Sequence, residues 1–187
     1  MRGRVPATGQ HTKRVGRLGG QIAQELHLPI EEVELIMRAA PLHDLGKVAI
    51  ADSILLENGS FEELERESMR RRAALGEDLL NGARSDLLQI ARTIAAYHHE
   101  RWDGQGYPYG LKGQAIPLAA RIVEVADAFD ALTHARPYKD AWPSHEAVVE
   151  IQHERGWQFD PAVVDALFRV HQRERQIGAR ELPLFTA

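Results

Sequence analysis

Four stretches of this chain carry apolar residues in helical steps that run straight into an imidazole or a carboxylate, and this pattern constrains the fold more than any other feature. Val15, Leu18 and Ile22 define one helix face, and His11 lies four residues before Val15 on the same face. Val33, Ile36 and Ala40 lead in such steps to His43, Leu87, Ala91 and Ile94 lead to His98, and Ile116, Ala120 and Val123 lead to Asp127. No run alternates with the period of two that a half-buried strand needs, so the chain reads as all-α. Helices are expected over about 10–28, 29–43, 61–80, 85–99, 117–132, 144–155 and 161–175, a bundle of about seven with a loose tail over 176–187. Pro41 falls inside the second pattern and should end or kink it just before His43-Asp44. Gly82 separates the third helix from the fourth, and the glycine-rich stretch from Glu100 to Ile116 reads as a long loop.

A chain of 187 residues, 44% hydrophobic and 27% charged, suits a single domain over 1–187 with a sizeable core. Its net charge of −4 argues against a nucleic-acid polymer as partner, while leaving room for a small phosphorylated ligand. The absence of cysteine excludes disulfides, thiolate metal sites and cysteine nucleophiles. With no bilayer-length apolar run and no signal-peptide core, the expected location is the cytoplasm without membrane insertion.

Burying the polar ends of those four stripes costs roughly 2–7 kcal/mol for each neutral group, and more for a charge, unless each finds a partner. A lone inward histidine is commonly a hydrogen-bonded core residue, and a lone inward aspartate can pair with Arg121 or Arg136. A shared cation satisfies all four at once. His43-Asp44 and His98-His99 are adjacent pairs, about 100° apart around a helix, so both members converge only where a helix ends. Asp127 and Asp130 lie three apart on one face, where they repel unless a cation or a donor intervenes. Imidazoles and carboxylates without thiolate suit iron, manganese, cobalt or zinc better than magnesium or calcium, with iron or manganese taken first. Lys47, one turn beyond His43, and Arg136 and Lys139, beyond Asp127, add positive charge of the kind that phosphoryl transfer needs.

At these residues the sequence resembles the HD phosphohydrolase superfamily and, within it, the HD-GYP branch. The matching stretches are His11-Thr12-Lys13-Arg14-Val15, His43-Asp44-Leu45-Gly46-Lys47, His98 through Pro108, Asp127-Ala128-Phe129-Asp130-Ala131-Leu132, Arg136-Pro137-Tyr138-Lys139 and Phe159-Asp160-Pro161, in the family's order. The resemblance implies an HD-domain helical bundle that hydrolyses cyclic di-GMP to a linear dinucleotide or GMP on a centre of two or three metals. It implies that His11, His43, Asp44 and Asp127 hold one metal, and that Asp44 bridges to a second held by His98 and His99. Asp44 and Lys47 take catalytic roles, Lys47, Arg136 and Lys139 hold phosphate, and Tyr107 shapes the substrate cleft.

The chain departs from that pattern at two positions. A further histidine normally completes the second metal site, and its place falls on Arg72, on a helix whose inward stripe reads Phe61, Leu64, Ser68, Leu75 and Leu79. Arginine stays protonated and offers no lone pair, so Arg72 joins the substrate-binding residues, unless it snorkels outward with Arg70 and Arg71. Ala7 stands where members with a third metal carry a carboxylate, and the segment Glu57-Asn58-Gly59-Ser60 lacks the usual Lys-Pro. The expectation is one tight metal and a weak or absent second. The rival is a degenerate module that binds ligand or a partner protein without turnover; a third reading is an HD phosphohydrolase for other nucleotides. Only ten residues precede His11, so the chain is expected to be a stand-alone domain or one lacking a regulatory domain.

Overall fold

In a computed structural model the chain is described over residues 9–46, 71–135 and 140–180. The first helix, α1 (Gly9–Glu25), ends earlier than its apolar pattern suggests. Pro29 disfavours helical backbone at Leu28, and the chain closes off with His27 at φ 60°. His27 N donates to the Gln24 carbonyl and Leu28 N to the Ala23 carbonyl, the paired bonds that satisfy the last carbonyls of a helix. The second helix, α2 (Ile30–Ala39), stops where Pro41 requires, and a 3-10 turn over Ala40–Leu42 delivers His43. Helix α3 is described over 71–79, and its exit passes Gly82 at φ 77°.

Ser85 caps α4 (Asp86–Tyr97) by accepting from Leu88 N at 3.4 Å, and His98 stands at the helix's other end. A long loop with a 3-10 turn at Gly113–Ala115 leads to α5 (Leu118–Thr133), whose residues from Ala119 to Ala126 are buried except Arg121. Helix α6 (Ser144–His153) is followed by α7 (Pro161–Arg180), which continues five residues past the end expected at Arg175. Asp160 starts α7, its Oδ1 accepting from Ala162 N at 2.8 Å, with Pro161 at the first helical position. Among the described residues there are seven helices and no strand beyond an isolated bridge between Arg155 and Phe159. The all-α expectation stands.

Helix α1 lies against α2, α5 and α7, α4 joins α2 and α5, and α6 and α7 both pack on α5. Ile22, Ile36, Ile94, Ile122, Ile151 and Leu167 meet between them, each contributing about 1.5–3 kcal/mol by leaving water. Two close approaches set the site's frame. A methyl on Gly16 would press on the Met37 carbonyl oxygen, so α1 and α2 meet at backbone distance. A methyl on Gly46 would fall onto the Arg72 carbonyl, so α3 lies directly on the turn after His43-Asp44. This corrects the described part of the stripe read for α3: Leu79 is 55% exposed, and the inward face runs through Ala73, Gly76 and Leu80, while Phe61, Leu64 and Ser68 lie outside the described residues. Small residues stand at Ala73 and Gly76 because the close-packed turn leaves no room for leucine there.

Candidate metal centre

His43 sits on the turn that Pro41 forces, and it is 2% exposed. Its Nδ1 donates to the Ala40 carbonyl at 2.8 Å, leaving Nε2 buried and without a hydrogen-bond partner. His98, 3% exposed, repeats the arrangement at the end of α4: Nδ1 donates to the Ile94 carbonyl at 2.9 Å, and Nε2 is again buried without a partner. His11, in the first turn of α1, donates from Nδ1 to Asp130 Oδ2 at 2.6 Å, which leaves its Nε2 3.4 Å from Asp127 Oδ1. In all three rings one nitrogen is tied to an acceptor and the other faces a common space. That is how ligating imidazoles are oriented.

The faces converge. The His11 and His43 ring centroids are 5.5 Å apart, those of His43 and His98 5.2 Å, and those of His98 and His99 3.8 Å. His43 Nε2 lies 3.3 Å from Asp44 Oδ2 and 3.9 Å from Asp127 Oδ1. Two groups result, each with ligand atoms within 4.8 Å of one another: His11, His43 and Asp127, then Asp44, His98 and His99. Asp44 belongs to the second group while facing His43 of the first, a bridging position.

These residues fit a metal. Two buried imidazole nitrogens, Nε2 of His43 and of His98, have no hydrogen-bond partner, a costly state that a cation removes. Burial, with His99 and His43 adding to it, lowers His98 to about 3, so its ring is a neutral donor. Burial also disfavours charge on His43, but Asp44 and Asp127 outweigh it and move its pKa upward. The donor set of nitrogen and oxygen suits a first-row transition metal.

Asp130 does what the sequence left open for the Asp127–Asp130 pair: a donor intervenes. Besides His11, it accepts from Arg14 Nε at 2.5 Å and Nη2 at 3.0 Å. Burial alone would raise its pKa, yet His11 and Arg14 bring it down to about 2. Arg121, considered as a partner for an inward aspartate, is bound instead to Asp160 and, at 2.8 Å, to the Ile116 carbonyl.

Tyr107 stacks on His99 with centroids 4.8 Å apart and planes at 30°. Its hydroxyl is pushed up to about 12, mainly by burial and against the opposing charge of Arg72. Arg72 is half-buried, and its charge reaches Tyr107, so it is not a fully solvated member of its run. Its segment brings no imidazole to the second group. Lys47, Arg136 and Lys139 lie outside the described residues, as does Ala7.

The glycine-rich loop is held by its own first residue, which belongs to the matching stretch His98 through Pro108 but has no role assigned from sequence. Glu100 is 0% exposed and accepts from Tyr109 N at 2.7 Å and Leu111 N at 3.0 Å. Gly106 is needed for the loop itself, since a methyl there would strike the Glu100-Arg101 backbone. A cavity of about 660 Å³ opens beside the second group, lined among others by His98, His99, Tyr107, Asp127, Glu124 and Gln158.

A family model described as an HD domain matches residues 2–163. The chain is 49% identical over 170 residues to the cyclic di-GMP phosphodiesterase response regulator RpfG of Xanthomonas campestris pv. campestris, covering 91% of this chain and 45% of that protein. It is 42% identical over 160 residues to a 3'3'-cGAMP-specific phosphodiesterase 2 of Vibrio cholerae, covering 86% of this chain and 31% of that protein. The chain thus spans less than half the length of these curated relatives. A crystal structure of a cyclic GMP-AMP specific phosphodiesterase of V. cholerae shares the fold, with a TM-score of 0.70 at 23% identity over 91% of this chain and 46% of that one.

Proposed function

The chain belongs to the HD-domain family, and from that premise we propose that it is a metal-dependent phosphodiesterase for a cyclic dinucleotide, with cyclic di-GMP first and a linear dinucleotide or GMP as product. The observation that carries this reading is the pair of partnerless Nε2 atoms on His43 and His98, on either side of Asp44. The names of the relatives point the same way, from cyclic di-GMP to 3'3'-cGAMP.

A divalent metal bound there supplies Lewis-acid polarisation of a phosphoryl oxygen and an activated water near neutral pH. The protein's own part is orientation. Asp130 fixes the His11 tautomer, the Ala40 and Ile94 carbonyls fix those of His43 and His98, and Glu100 holds the loop that sets Tyr107 against His99. Tyr107 stays protonated in that setting, so its hydroxyl is a donor for a phosphate or ribose oxygen. Lys47, Arg136 and Lys139 are the proposed phosphate contacts.

The proposed occupancy is one tight metal, iron or manganese, on His11, His43, Asp44 and Asp127. A second, on Asp44, His98 and His99, is weak because Arg72 stands where a further ligand is needed. A cytoplasmic location accompanies a second-messenger substrate; no helix among the described residues is long and apolar enough to cross a membrane. The greater length of the relatives supports a regulatory domain or protein partner acting on this one.

The test is incubation of the metal-loaded protein with cyclic di-GMP, with products separated by chromatography and metal counted on the same sample. Linear product with one equivalent retained after dialysis is expected. Binding without product would overturn the enzymatic reading in favour of a ligand-binding module. Two retained equivalents would overturn the assignment of Arg72.

A further inference from the structure

Beside the metal centre, the cavity contains a carboxyl group that holds no metal and has no part in the chemistry above. Glu124 lies on α5 three residues before Asp127, on the same helix face, and lines the cavity shared with His98, His99 and Tyr107. It is 8% exposed, in a helix otherwise apolar around it: Ile122, Val123, Val125 and Ala126 are buried. A buried glutamate lining a cavity needs a reason, because desolvation penalises it. That desolvation moves its pKa well above the usual carboxylate range even though Gln158 donates to it and Arg101 lies nearby, so a ligand that supplies further N–H donors is what would hold it as the carboxylate.

Its neighbour supplies the second half of a pattern. The Gln158 side chain lies beside Glu124 and lines the same cavity. Arg101 Nη1 donates to Gln158 Oε1 at 3.2 Å, and Arg101 is itself fixed by Asp103 through bonds of 3.2 and 2.8 Å. Because the guanidinium only donates, the Gln158 oxygen must face it; the amide nitrogen gives one hydrogen to Glu124, and its second hydrogen is the one left for a ligand. Gln158 is also held through its backbone, whose carbonyl accepts from Trp102 N at 2.8 Å. Glutamate and glutamine together offer two acceptors followed by a donor.

We infer that Glu124 and Gln158 read the Watson–Crick edge of a guanine base. That edge presents N2–H and N1–H as donors and O6 as an acceptor, the complement of carboxylate plus amide N–H. Adenine would set its N1 lone pair against the carboxylate and leave the amide donor opposed by an amino group. A site that hydrogen-bonds one edge rejects the other because its buried polar groups are left unpaired. The assignment rests on the proposed dinucleotide substrate for its biological meaning, but the chemistry it names is the base alone, so it is tested with mononucleotides.

The experiment is titration of the purified, metal-loaded protein with GMP, IMP and AMP by calorimetry. GMP is expected to bind about 10- to 100-fold more tightly than AMP, the discrimination typical of a two-hydrogen-bond base contact. IMP, which lacks the 2-amino group, is expected to fall between them. In Glu124→Gln the GMP/AMP ratio should fall to within about threefold. Comparing a ratio within one variant removes any general loss of binding, and Gln158→Leu gives a second, independently folded test of the same ratio. Equal affinities in the unaltered protein, or a preference that survives in both variants, would overturn the inference. Hydrolysis of cyclic di-GMP without a GMP preference would sink this inference and leave the function standing. A Glu124-dependent GMP preference in a protein that cleaves no cyclic dinucleotide would do the reverse.

Discussion

Removing the Asp130 carboxylate is the perturbation whose outcome the geometry constrains most. Its Oδ1 receives Arg14 Nε, and its Oδ2 receives both Arg14 Nη2 and His11 Nδ1. In Asp130→Asn the amide oxygen is expected to take the Oδ2 position, where it keeps two donors, while the amide nitrogen faces Arg14 Nε. The His11 bond survives, and one charge-assisted bond becomes a donor–donor contact. In Asp130→Ala every acceptor is lost and His11 is free to change tautomer and turn. Loss of an orienting partner typically costs 10- to 100-fold in metal affinity, or about 1.4–2.7 kcal/mol. Stability of the metal-free protein should fall by about 1.5–3 kcal/mol in the alanine variant, toward the lower end because the Arg14 side chain is 35% exposed. Chelator competition gives the affinity, and urea unfolding of the stripped protein gives the stability. The expected order of metal affinity is wild type, then asparagine, then alanine. An alanine variant that holds metal as tightly as wild type would refute the claim that Asp130 positions His11.

Three further outcomes follow from the same description. Gly46→Ala should destabilise the protein by about 1–3 kcal/mol in thermal unfolding, since the new methyl meets the Arg72 carbonyl and lies within 2.8 Å of Gly76 N, both of them backbone; an unchanged midpoint would show that α3 yields easily. Arg72→His should raise retained metal from one equivalent toward two, and hydrolysis with it; unchanged values would make Arg72 a bystander. His171, 7% exposed with Nε2 buried and partnerless, has its pKa lowered by burial and then by Arg175, with Glu174 opposing and His145 adding. Its folded-state pKa lies below the unfolded value near 6.5, so the unfolded chain takes up the proton first and stability is lost as pH falls through that value. His98 acts with the same sign, so the readout is the difference between wild type and His171→Leu, whose stability should decline less from about pH 7 to pH 5.

The histidines were legible in the sequence because helical periodicity aimed them inward and Pro41 and Ser85 marked where their helices begin or end. What periodicity does not carry is the orienting partner of each ring. The Ala40 and Ile94 carbonyls have no side-chain signature, and Asp130 was recognisable only as half of a repelling pair whose resolution could have been a cation or a donor. The face of α3 was misread because alanine and glycine, the residues that permit close packing, barely register as apolar. Glu100 and Glu124 escaped for a related reason: a lone glutamate ordinarily lies in water, and only its neighbours in space distinguish the buried case. For Glu124 a signal existed, a carboxylate set between Val123 and Val125 in a helix buried nearly all round.

The contact that Asp130 makes with His11 and Arg14 has an evolutionary side as well. One carboxylate joins the first helix to the fifth and aims a ligand, so natural selection for folding alone would retain it. A descendant of this domain could cease hydrolysis, keep the aspartate and histidine together for mechanical reasons, and still look like an enzyme in an alignment. The informative positions for recognising such a pseudoenzyme are His43 and His98, because a replacement that kept only the bond to the Ala40 or Ile94 carbonyl would satisfy the fold and lose the Nε2 that faces the centre.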